Sequence, residues 1–107
     1  MLSRLIVAAV VGALTSTAAT AASVSLSLVN QTSRTVTSIS AYPIDGSGNV
    51  VEDNLGGHYD PILPSASAAF TLSGDCGEIL LVIAFKGGGE HRAQFNSCET
   101  QRLTLNG

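Results

Sequence analysis

The sequence predicts a small all-β fold, an antiparallel β-sandwich of Ig-like or related type with about six strands and one disulfide. Three observations predict it. Beyond the first 22 residues, apolar and small polar residues alternate with period two in segment after segment, and clusters of Gly, Pro, Asn, Asp and Ser interrupt them at short intervals. No convincing helix is legible outside the leader. The two cysteines, Cys76 and Cys98, flank the most apolar of the segments.

The first 22 residues read as a cleaved secretory signal peptide. Met1 to Arg4 carries one positive charge, Leu5 to Leu14 is unbroken apolar, and Thr15 to Ala22 is a small-residue region containing the Ala19-Thr20-Ala21 pattern. The apolar run is about half the roughly 20 residues that a spanning helix needs. No anchor is expected to remain after cleavage, and no cysteine near the cleavage region offers a lipid attachment point. Residues 23–107 are then a single domain of about 85 residues, located in the periplasm or the medium.

Val24 to Val29 alternates apolar and polar residues and is the first expected strand; Asn30 to Arg34 reads as a turn. Thr35 to Tyr42 is rich in β-branched and aromatic residues, Pro43 ends it, and the two segments are expected to pair as a hairpin. From Gly46 to Pro64 the composition shifts to Gly, Pro, Asn and Asp, which predicts a long irregular connection with a short strand or turn near Val50-Val51. Ala68 to Ser73 resumes the alternation with Phe70 and Leu72 inward. Glu78 to Phe85 is too short and too branched for a helix and suits a central strand. Lys86 to Gly89 is a hairpin loop, His91 to Ser97 is the returning strand, and Thr100 to Leu105 is the last.

The cysteines test the register of that hairpin. If Gly87 is its centre, opposed residues have numbers that sum to 174, as 76 and 98 do. Cys76 and Cys98 then face each other within disulfide range. An even cysteine count behind an export signal predicts a disulfide in preference to a metal site or a catalytic thiol. The central strand is apolar on both faces, with Leu80, Val82 and Ala84 on one and Ile79, Leu81, Ile83 and Phe85 on the other. Either both faces are covered, with the Gly46 to Pro64 connection as the expected cover, or one face is an exposed apolar patch that meets a partner.

Residues 23–107 carry Arg34, Lys86, Arg92 and Arg102 against eight carboxylates, a net charge of −4 with His neutral. That balance argues against nucleic acid or an anionic membrane as partner, because both require clustered Lys and Arg. His58-Tyr59-Asp60 and Glu90-His91 are the only places where imidazole and carboxylate adjoin, and nothing in the sequence joins them into a metal site. No serine stands in a nucleophile-elbow context. No catalytic residue, metal or cofactor is therefore expected. Asn30-Gln31-Thr32 matches a glycosylation sequon but reads as a turn in the expected host.

The order Leu28 to Thr32, Tyr42-Pro43, Asp53 to Gly56, Leu63-Pro64, Gly74 to Gly77 and Cys98 to Thr100 resembles a family of small exported proteobacterial β-sandwich proteins that end in a cysteine pair. In that family a glycine is common where Ser65 stands, and polar residues are usual where Ile79 and Leu81 stand. The resemblance implies a periplasmic β-sandwich and no catalytic residues. The expected function is a non-enzymatic binding or structural module that engages a periplasmic or envelope protein. Asp53, Leu55, His58, Tyr59 and Asp60 are the candidate interaction loop. Two other readings stay open: a small periplasmic hydrolase inhibitor, and an envelope or fibre subunit assembling through an edge strand. Oligomeric state is not readable from the sequence.

Overall fold

The computed structural model describes residues 22–107, so the expected leader lies outside the described residues save for Ala22. Seven strands follow in order: β1 Ser23–Gln31, β2 Val36–Pro43, β3 Gly56–His58, β4 Ser67–Ser73, β5 Glu78–Phe85, β6 Glu90–Asn96 and β7 Arg102–Asn106. No helix occurs among the described residues. One sheet has the order β4-β1-β7 and the other β3-β2-β5-β6. The two sheets close on a core to which every longer strand contributes alternate residues, among them Leu26 and Leu28, Ile39 and Ala41, Phe70 and Leu72, and Ile79, Leu81 and Ile83. The protein is a small β-sandwich with one disulfide.

The expected β1–β2 hairpin does not form. β1 pairs with β4 and β7, whereas β2 pairs with β3 and β5 in the other sheet. The reason lies in Asn30, a fully buried side chain at the end of β1. Its Nδ2 donates to Arg34 O at 2.7 Å and to Ile62 O at 2.9 Å, while its Oδ1 accepts from Thr32 N at 3.0 Å and Thr32 Oγ1 at 2.7 Å. Both donors and both lone pairs are used. The chain is thereby bent across the core into the opposite sheet instead of folding back in its own. The apolar faces of β1 and β2 thus belong to different sheets, an outcome that alternation cannot distinguish from pairing. The sequon reading of Asn30 finds no accessible amide to modify.

The β5–β6 hairpin matches its expected register. Pairs run from Glu78 opposite Asn96 to Ala84 opposite Glu90, and Cys76 bonds Cys98 with a Cα separation of 5.0 Å. Gly87, Gly88 and Gly89 all have positive φ, which is why three glycines stand there. At the other end of the hairpin the buried Ser97 Oγ accepts from Gly77 N at 3.0 Å and donates to Gly77 O at 3.1 Å, closing the ladder beside the disulfide. Ile79 and Leu81 are core residues, 3% and 0% exposed, which accounts for their apolar side chains.

The two flanks of the sandwich differ. On the β3–β4 flank, Ser73 N and Oγ both donate to Leu55 O, at 2.9 and 3.1 Å, and tie the sheets together. There the backbones are so close that a Cβ on Gly56 would lie 3.0 Å from Thr71 O. On the β6–β7 flank the sheets part, and a slot of about 70 Å³ opens between Leu81, Ile83 and Ala93 on one side and Leu28, Leu103 and Leu105 on the other. β7 runs parallel to β1, the one parallel pairing among the strands.

Candidate functional site

The long connection between β2 and β4 was expected to be irregular, yet it is pinned at three places. Ile44 bridges Val50 around a turn in which Asp45 Oδ1 accepts from Ser47 N at 2.8 Å and Asn49 N at 3.0 Å. Those donated bonds, that from Asn49 first and that from Ser47 next, hold the Asp45 carboxyl below its ordinary pKa. β3 then adds to the edge of β2, with Gly57 opposite Ser40. A Cβ on Gly57 would lie 1.9 Å from Ile39 O, so only glycine lets this short strand dock. Finally Ile62 bridges Val36 and is buried.

The five expected interaction residues separate into two sets. Leu55 is half-buried against the core and its carbonyl joins the sheets. His58 is half-buried on β3 opposite Ile39, its ring centroid 6.4 Å from that of Phe70. These two hold the connection to the sandwich. Asp53, Tyr59 and Asp60 are exposed, and Tyr59 Oη accepts from Asn54 Nδ2 at 3.2 Å. His91 lies on β6, at the opposite edge of the sheet from His58, with β2 and β5 between their strands. Three strand spacings, about 14 Å, separate the two imidazole-bearing edges.

The exposed large apolar residues among the described residues are Val50, Val51, Tyr59 and Leu63, at 48, 54, 59 and 60% exposure, and all four lie on this connection. Sequence reasoning missed Val50, Val51 and Leu63 as surface residues. The available signal was their setting: each belongs to a short apolar pair, Val50-Val51 and Ile62-Leu63, within a polar, Gly- and Pro-rich segment where no strand period assigns both members an inward face. The connection covers the outer face of β5 only in part. Leu80 is buried and Gly48 backs onto Gln94, but Val82 and Ala84 remain half-buried behind a shallow depression flanked by Val50 and Tyr42.

No family model, curated protein or solved structure matches the chain.

Two further features mark the ends of the sandwich. Beside the start of β5, a groove of about 330 Å³ runs between the connection and the disulfide, walled by Pro43, Ile44, Leu55 and Ile79 and rimmed by Glu52, Asp75 and Glu78. At the other end, the Arg34 guanidinium carbon lies 4.7 Å from the Phe85 ring centroid and Arg34 donates to the carbonyls of Lys86 and Gly88. This cation–π stack fastens the β1–β2 crossing to the hairpin tip. The disulfide fits an oxidising, non-cytoplasmic environment. No helix among the described residues is long and apolar enough to cross a membrane.

Proposed function

We propose that the chain is a non-enzymatic binding module, exported to the periplasm or medium, that engages a partner protein through the connection between β2 and β4. The observation that carries this reading is the confinement of Val50, Val51, Tyr59 and Leu63 to that one connection. Val50 and Val51 lie by the Pro43 end of β2 and Leu63 follows the Ile62–Val36 bridge at its other end, so the four are separate contact points along one connection, a loop of the kind that carries binding function on a rigid scaffold. Three anchoring points hold the segment in place, so its ordering is largely complete before any partner arrives. The resemblance to small exported β-sandwich proteins supports the location and names no chemistry.

The test is capture with a surface variant. Wild type and a Val51→Ser/Tyr59→Ala/Leu63→Ser variant, each immobilised with the disulfide intact, are exposed to envelope extract of the native host. A protein retained by wild type and lost from the variant is the expected result. Equal retention by both moves the site elsewhere. A second reading, an envelope or fibre subunit, draws support from the open β6–β7 flank, where two free strand edges border an apolar slot. It predicts concentration-dependent assembly in sedimentation, which the binding reading does not.

A further inference from the structure

The register gathers the segments 43–56, 73–78 and 96–99 at one end of the sandwich, since Pro43 stands opposite Ile79, Glu78 opposite Asn96, and Cys76 is bonded to Cys98. Those segments carry Asp45, Glu52, Asp53, Asp75, Glu78 and Glu99 and no Lys, Arg or His. The four cations of the described residues lie elsewhere. Arg34 and Lys86 are at the hairpin tip, Arg92 pairs with Glu90 at 3.0 Å on β6, and Arg102 opens β7 opposite Ser27. Arg92–Glu90 is the one ion pair among the described residues, so none of the six carboxylates pairs with a cation of the described residues. A net charge spread through the sequence is in fact concentrated at one pole.

We infer that the groove at the disulfide end docks a basic segment of the partner protein, with a Lys or Arg stem against the half-buried Ile44 and Leu55 and its head between Glu52, Asp75 and Glu78. The inference rests on the binding-module reading and names the partner's chemistry. Long basic side chains suit such a groove because their methylene stems are apolar while their heads stay charged. Val51 precedes Glu52 of the groove, and its N–H donates to Pro43 O at 3.1 Å, which fixes the backbone on that side. A bare divalent ion fits less well, because no three carboxylate, His or Cys groups among the described residues converge at ligating distance. The like charge of the pole repels nucleic acid and anionic lipid headgroups.

The test uses the protein expressed with its own leader, purified with the disulfide intact and labelled with 15N. The probes are a blocked tetrapeptide of alternating leucine and lysine and its leucine–glutamate counterpart. Expected are amide shifts confined to residues 44–55 and 75–79 with the lysine peptide only. Raising the ionic strength from about 0.05 to about 0.5 M should weaken binding about tenfold. A Glu52→Gln/Asp75→Asn/Glu78→Gln variant, whose amide spectrum reports that the fold is retained, should lose the shifts. Equal response to both peptides, shifts outside the groove, or no response to either overturns the inference. Should the connection variant lose a captured protein that the carboxylate variant retains undiminished, protein binding through the connection stands and the basic-partner inference falls.

Discussion

Asn30 shows how much one side chain decides. It is buried at 0% exposure with four side-chain hydrogen bonds, and it also uses its main chain, donating to Ala66 O at 2.9 Å and accepting from Ser65 N at 2.6 Å. Asn30→Ala removes four side-chain hydrogen bonds and leaves a hole at a fully buried site, while Arg34 O and Ile62 O keep their bonds from Thr32 Oγ1 and Val36 N, and we expect a loss of about 1–3 kcal/mol in urea denaturation. Ser65 is the one non-glycine residue with positive φ, at 71°, among the described residues. A left-handed conformation costs an L-residue about 1–2 kcal/mol, partly offset by the greater unfolded-state freedom of glycine. Ser65→Gly should therefore stabilise by about 0.5 kcal/mol, read as a raised melting temperature. Gly57→Ala should do the reverse, because its Cβ has no room against Ile39 O; a cost of about 2 kcal/mol or more and loss of protection at β3 amides are expected.

At the scale of elements, the hairpin β5–β6 was legible in full because its information is local. A glycine centre fixes the pairing, and the cysteines at 76 and 98 confirm it from outside the strands. Cys76→Ser/Cys98→Ser should lower stability by roughly 3 kcal/mol in the chain-entropy model while leaving the far-UV spectrum of the fold, checked by denaturation of both forms. The strand β3 was not legible. Gly-Gly-His has no strand propensity, and it becomes a strand only because the edge of β2 offers it carbonyls and amides. The turn after β2 carries a pH signature. Asp45 has its pKa lowered in the folded state, so the stabilisation it gives is present above the ordinary carboxylate pKa and is lost as pH falls through the folded value. Asp45→Asn should flatten the acid limb of the stability profile below about pH 4, measured by thermal melts against pH.

At the scale of the molecule, the asymmetries matter most: one flank closed by Ser73 and Leu55 and the other open, one pole bearing six carboxylates and the other the Arg34–Phe85 stack. The polar asymmetry predicts that association with a cationic partner weakens with salt, whereas mutation of Glu90 or Asp60, away from the pole, leaves it within about twofold. The sequence by itself determined that this is an all-β domain, that Phe70 and Leu72 of β4 face inward, and how β5, β6 and the disulfide fit together. Each of those follows from period-two alternation or from a turn a few residues long. Only the tertiary structure decided that β1 and β2 occupy different sheets, that β7 returns parallel to β1, and that Val51, Glu52, Asp75 and Glu78 share one end. Alternation records that a side chain is buried but not what lies across from it; that assignment comes from packing between segments 20 to 80 residues apart, such as Asn30 with Ile62 and Ser27 with Arg102.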